Sequence, residues 1–356
     1  MQSKLLEVYE IIKRSYLHAV DDAIIIDGAI EGMLEAIGDK YAKYIAGQEM
    51  LMINPAHEGI GINAPRTGEN EILITEVFEN SSANKSGLER FDTITKVDGV
   101  AVKDLGYHVA ANAIRGEVGS TVNLEVQRAD GTPFACSVVR QRHVRQSVFS
   151  KLLESGIGII RITFFSEISY SQFAEQLNKL LEADIKGLII DVRNNPGGQT
   201  CALVNFLNTF LPEGLVMTAK NHNSNQEQKF YSDKESIKIP LAILINQYTA
   251  SSAELFSAIL QDYIGACIVG EPTHGKGVAV EEFTLADGSQ LVISTVEMFA
   301  AQGISLKKKT IPDILIEQTP DIELDGYSGY LSNDPYVEAA VAAILDRCSE
   351  ADDLLT

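Results

Sequence analysis

The sequence predicts a multidomain chain of mixed α/β and β class: an N-terminal helical segment, a small β module, an α/β core with a mixed sheet, and a C-terminal helix. Three observations predict it. Apolar residues recur at helical spacing over the first 50 residues, as at Leu5, Val8, Ile12 and Tyr16. Between about 59 and 145 the period falls to two, so that Val122, Leu124 and Val126 alternate with Asn123, Glu125 and Gln127. From about 146 onward short apolar runs alternate with amphipathic stretches, the pattern of strand–helix–strand crossovers. A chain of 356 residues holds two or three such units at about 150 residues each.

Taken in order, Ile26, Ile30, Met33 and Ile37 extend the helical spacing, and Asn54-Pro55 breaks it. The β module holds the strands Ile72-Leu73-Ile74-Thr75 and 122–126 and one short helix near 106–114. The core opens with a strand at 157–165 and an amphipathic helix at 170–182. Buried-looking strands follow at 187–192, 241–245 and 266–270, with a helix from Ser252 to about Tyr263 between the last two. A final helix near 334–347 carries Val337, Val341, Ile344 and Leu345 along one side, and the acidic tail from Ser349 is expected to fray. The domains read as 1–56, 57–142, 143–320 and 321–356.

The formal net charge is −20. Such an excess of carboxylates repels nucleic acid and anionic membrane, and excludes both as partners at this stage. No apolar run reaches the roughly 18–20 residues of a membrane helix. Cys136, Cys201, Cys267 and Cys348 form no C-x-x-C pair, so no zinc or redox site is signalled and the thiols read as small hydrophobes. Met1-Gln2-Ser3-Lys4 leads into the amphipathic pattern without a signal-peptide core. Two readings stay open, a cytosolic protein or a leader outside this chain.

Four segments could carry chemistry. In Leu241 to Glu254 an apolar strand runs through small polar residues into a helix, which exposes Ser251 beside a helix N-terminus. The plain alternative is that Ser251-x-x-Glu254 is a capping box. Gly275-Lys276-Gly277, 25 residues on, offers a lysine with little side-chain cover as a base. Such a lysine must fall several units from about 10.4 to work near neutral pH, and burial can supply about 3–5. Asp191-Val192-Arg193-Asn194-Asn195-Pro196-Gly197-Gly198 ends a strand in a turn whose amides could hold an oxyanion, or it is a plain tight turn. Gly59-Ile60-Gly61-Ile62 opens the β module and could aim amides at a chain-terminal carboxylate.

Together these segments resemble the C-terminal processing peptidases, or tail-specific proteases. The β module resembles a PDZ domain through Gly59-Ile60-Gly61-Ile62, Ser86-Gly87-Leu88, Asp92-Thr93-Ile94 and Val97-Asp98-Gly99. The run Ile189 to Gly198, then Ala250-Ser251-Ser252-Ala253-Glu254, Gly270 to Gly277, and Ile311-Pro312-Asp313 match further family motifs in order. The resemblance implies a ClpP/crotonase-like core and a serine endopeptidase with a Ser–Lys dyad: Ser251 as nucleophile, Lys276 as general base. It implies oxyanion amides from Gly197 or Gly198 and from Ser252, with Glu254 and Asp262 in supporting roles. It implies capture of protein or peptide substrates by apolar C-terminal tails at Gly59, Ile60, Gly61 and Ile62, no metal or cofactor, and a site of action outside the cytoplasm (the bacterial envelope or beyond). Homodimerisation is one use of the apolar stripes in the first 50 residues and the last helix; packing onto the chain's own domains is the other.

Three positions depart from the family pattern. Val280 stands where a glutamine usually orients the lysine, which motivates a competing reading: a weakened or inactive protease-like scaffold that binds tails without cutting. Phe91 replaces a turn glycine, so that turn is expected to be remodelled, because phenylalanine disfavours positive φ. Phe299-Ala300-Ala301-Gln302-Gly303 lacks the usual Pro-Ser-Gly. A Ser–His pair using His274 is a third reading.

Overall fold

A computed structural model describes residues 2–45, 56–65, 71–144, 146–221, 223–233, 236–301, 305, 309–317 and 334–353. It divides into two compact units, Met1–Leu51 with Ala279–Val296, and Met52–Val278 with Glu297–Thr356. The expected break at Asn54-Pro55 and the changed turn at Gln302-Gly303 lie outside the described residues.

In the first unit, helices Gln2–Ser15 and Asp22–Ile37 form where the spacing predicts them. Asp21 caps the second by accepting the Ala23 N–H at 2.9 Å, and Gly38 ends it in the left-handed conformation. The helical reading to residue 50 stops there: Lys43–Ile45 is a strand, antiparallel to Gln290–Val292. Its partner is remote in sequence, so local spacing could not reveal it. The Tyr44 hydroxyl donates to Asp27 at 2.9 Å and ties the strand to the helix above.

The β module of the second unit wraps one apolar core. Strands Ile72–Leu73, Thr93–Val97, Thr121–Gln127 and Pro133–Val139 pair in that order, and two short ladders complete it, Ile62–Asn63 with Glu76–Val77 and Ala56–Gly59 with Gln141–Val144. Val122, Leu124 and Val126 point inward, as their alternation predicts, beside Ile60, Ile72, Ile94 and Val138. Phe91 overturns the expected remodelling. It keeps positive φ, at 72°, and its N–H still donates to the Ile74 carbonyl at 2.7 Å. Its side chain is exposed and stacks under the Arg90 guanidinium, so nothing buried forces the turn apart.

The core is a six-stranded mixed sheet. Strands Val148–Leu152, Ile157–Ile162, Gly187–Asp191, Leu241–Ile245, Cys267–Gly270 and Ile314–Leu315 follow one another; the first pair is antiparallel and the rest parallel. Residues 187–191 and 241–245 are buried throughout, which is why these strands read as continuous apolar runs. One face packs against the helix Pro335–Asp353 through Ile157, Ile159, Ile189, Leu244 and Val269. Phe165, Phe173, Phe206, Phe210 and Phe256 interlock elsewhere in the core, at 4.9 to 6.3 Å between neighbouring centroids. Several boundaries shift. The strand expected to reach Phe165 ends at Ile162, and the last helix runs through Asp353 rather than fraying from Ser349, since no glycine or proline stops it.

Candidate active site

Three turns meet beyond the carboxyl ends of the parallel strands, the usual crevice of an open α/β sheet. One follows strand Gly187–Asp191, one follows Leu241–Ile245, and one follows Cys267–Gly270. Hydrogen bonds knit them together. Thr249 donates its hydroxyl to the Val192 carbonyl at 2.9 Å, and the Ala250 N–H reaches the Asn195 carbonyl at 2.9 Å. The Asn246 amide group donates to Asn194 Oδ1 at 2.7 Å, and the His274 N–H donates to the Thr249 carbonyl at 3.0 Å.

Ser251 stands at the sharp strand-to-helix turn, with φ 55° and ψ −124°. A non-glycine residue pays about 1–3 kcal/mol for such a conformation and holds it only where its surroundings dictate it. Gly197 is part of that mould. A side-chain carbon built there would lie 2.7 Å from Ser251 Cβ and 2.9 Å from the Ser252 nitrogen, so only glycine lets the two turns touch. The Gly197 N–H is itself engaged, donating to Asn195 Oδ1 at 2.8 Å. Among the described residues the Gly198 and Ser252 amides donate to nothing, which makes them the pair open to an oxyanion. The Ser252 hydroxyl fixes their spacing by donating to the Gly198 carbonyl at 2.9 Å.

Glu254 joins the serine to the lysine. Its buried carboxylate accepts three main-chain N–H groups: Ser251 at 2.8 Å and Lys276 at 2.9 Å on one oxygen, Gly275 at 2.5 Å on the other. The capping relation expected from Ser251-x-x-Glu254 is therefore present on the glutamate side, and the same carboxylate ties the lysine segment to the serine turn. Spacing alone revealed the cap; the second contact needs the fold. Thr273, in the same segment, is fully buried and accepts the Thr310 N–H at 2.8 Å. His274 is exposed, whereas Lys276 is half-buried.

One expected residue lies apart. Asp262 is exposed on the Ser252–Ile264 helix, 11 residues beyond Ser251 and so about 16 Å along the axis. It does not join the serine turn. Val280 lies on strand Val278–Thr284, within the first compact unit, and is half-buried.

Sequence reasoning missed a buried charge network behind the Gly197-Gly198 turn. Arg193 bridges two carboxylates, Asp191 at 2.8–3.0 Å and Asp334 at 2.8–3.2 Å, and lies over the Tyr336 ring at 4.7 Å. Burial pushes the Asp191 carboxyl up, but the charge and hydrogen bonds of Arg193 outweigh it and hold the group below its ordinary value. Asp334 stands at the start of the last helix and also accepts the Tyr336 N–H at 3.0 Å. The turn is thereby bolted to the C-terminal helix.

In the β module, the Gly61 and Asn63 carbonyls accept the Phe78 and Thr75 N–H groups at 3.0 and 2.8 Å. The alternate residues Ile62 and Ala64 therefore face the opposite edge. Ile60 is buried beneath the loop. His143 Nε2 lies 3.0 Å from the Gly59 carbonyl. Burial lowers the His143 pKa more than that hydrogen bond raises it, so near neutral pH the ring is uncharged and Nε2 carries the hydrogen it donates.

Comparison with known proteins agrees with the fold. The model of peptidase family S41 matches residues 156–316, that of the PDZ domain residues 57–136, and that of the activating protease CtpB N-terminal domain residues 1–49. The carboxy-terminal processing protease CtpA of Bacillus subtilis is 31% identical over 95% of this chain and 74% of its own length. CtpB of the same organism is 30% identical over 89% and 68%. The photosystem II D1 C-terminal processing protease shares the fold, with a TM-score of 0.53 at 21% identity over 92% of this chain and 95% of that one. The chain belongs to the carboxy-terminal processing serine proteases of peptidase family S41 and carries a PDZ domain.

Proposed function

We propose that the protein is a serine endopeptidase in which Ser251 is the nucleophile and Lys276 the general base, acting on polypeptides captured by apolar C-terminal tails in the PDZ domain. One shared oxygen carries this reading: the Glu254 carboxylate accepts the main-chain N–H of both residues, which fixes nucleophile and base to a common point. In the first step Ser251 Oγ attacks the scissile carbonyl carbon and passes its proton to the neutral Lys276 amine. The oxyanion forms against the Gly198 and Ser252 amides. The C–N bond then breaks, the leaving amine takes the proton from Lys276, and an ester to Ser251 remains. Water attacks the ester as Lys276 takes its proton; the C–O bond to Ser251 breaks, Oγ takes the proton back from Lys276, and the acid leaves.

Cleavage of an unfolded protein with an apolar C-terminus, followed by mass spectrometry, tests this reading. Wild type is expected to cut, and Ser251→Ala and Lys276→Ala to be silent while folded. Continued cutting by Ser251→Ala would remove the assignment. Silence in wild type with activity in Val280→Gln would favour the tail-binding scaffold with a weakened dyad. Action outside the cytoplasm and a homodimer are parts of the same proposal. The exposed Leu5, Leu6, Ile24 and Ile26 of the first two helices supply the apolar surface for a second copy.

A further inference from the structure

The groove that would hold a tail runs between the open edge at Ile62 and Ala64 and the helix Tyr107–Ile114. Ile62, Ala64, Tyr107 and Ala111 all pack against the core of the module, which sets the helix beside the strand. Tyr107 is the first residue of that helix, and its hydroxyl donates to the Ala64 carbonyl at 2.7 Å. This distance is an ordinary one for an O–H···O hydrogen bond.

A tail whose carboxylate meets the amides of Gly59 to Gly61 must run antiparallel to the strand. Its last residue then lies opposite Ile62 and its third from last opposite Ala64, because every second residue faces this edge. The third-from-last residue must bring its N–H to the Ala64 carbonyl, the acceptor that Tyr107 already holds. We propose that Tyr107 is a latch on the tail groove: its hydroxyl must leave Ala64 before a tail can pair along the full edge, so Tyr107 sets the affinity of capture. This rests on the reading of the module as a tail-binding site. A neutral hydrogen bond contributes a net factor of about 2- to 10-fold in an equilibrium constant, which bounds the effect.

The test is a polarisation titration of a labelled peptide with an apolar, free-acid C-terminus. The protein is the full chain carrying Ser251→Ala, so that no turnover occurs, with and without Tyr107→Phe. The phenylalanine variant is expected to bind about 2- to 10-fold tighter. The same peptide N-methylated at its third residue from the end has no N–H for Ala64, and should gain nothing from the substitution. Unchanged or weaker binding by Tyr107→Phe, with free acid still preferred over C-terminal amide, would overturn the latch alone. An equal gain for the N-methylated peptide would also overturn it, since the hydroxyl would then merely obstruct. Equal binding of acid and amide, or no binding by either protein, would overturn tail capture and the latch with it.

Discussion

Glu254 and Phe91 show what single side chains decide. Replacing the Glu254 carboxylate by an amide turns one acceptor oxygen into a donor facing main-chain N–H groups. Glu254→Gln is expected to lower kcat about 100-fold, the cost of a displacement near 1 Å in a reacting group, with KM little changed because the proposed tail groove lies in the PDZ domain. Steady-state kinetics on a tailed peptide check this, and an unchanged kcat would mean that the clamp does not position the dyad. Phe91 holds φ 72° with an exposed ring. Phe91→Gly should raise stability by up to about 1 kcal/mol in a urea titration, a gain trimmed by the lost Arg90 contact. A lowered midpoint would contradict the strain. Ser251, Lys276 and the Gly197-Gly198 turn were singled out from residue type and spacing, and the fold brings their three turns together. Glu254 was legible only as a cap. Its bonds to Gly275 and Lys276 cross more than twenty residues, and no periodicity records them.

Elements were legible where burial is uniform and illegible where pairing is remote. Strands 187–191 and 241–245 are buried on both faces and announce themselves as apolar runs. The hairpin of Gly214–Asn221 with Gln226–Ser232 escaped notice, because its second strand, Gln-Glu-Gln-Lys-Phe-Tyr-Ser, is mostly exposed and carries no apolar alternation. The Arg193–Asp334 bridge joins a turn to a helix 141 residues away. Asp191 is held below its ordinary 3.8 in the fold. Its share of stability is therefore fully present above about pH 4 and is lost only as pH falls through the lower folded value. Asp334→Asn, which leaves Arg193 one charge short, should destabilise by about 3 kcal/mol at pH 7. A urea midpoint that Asp334→Asn leaves unchanged would argue against a charge-based bolt. Gly187→Ala belongs here too. A side-chain carbon there would sit 2.3 Å from Ile344 Cγ2, so the last helix must shift away from the sheet.

Across the whole molecule, domain order was legible because each region changes period: 3.6 in the first helices, two in the β module, alternating runs in the core. What was not legible is how one long strand, Gln290–Ala300, serves two ladders, pairing Lys43–Ile45 at one end and Met217–Lys220 at the other. The charge of −20 fits a protein whose partners are polypeptides rather than nucleic acid. Acid has a named target in the fold. His143 is kept uncharged in the fold below its usual 6.5. Its stabilising share is complete above about pH 6.5 and is lost as pH falls from there toward its lower folded value. Thermal melts at pH 7.5 and 5.5 should show a larger drop for wild type than for His143→Gln; equal drops would assign the loss to other groups. The central claim, a Ser251–Lys276 protease, is tested most directly by incubating wild type, Ser251→Ala and Lys276→Ala with an unfolded, apolar-tailed protein and weighing the products. New fragments with wild type alone are the predicted result. Fragments that persist in Ser251→Ala, with the variant shown to be folded and free of other proteases, would contradict it.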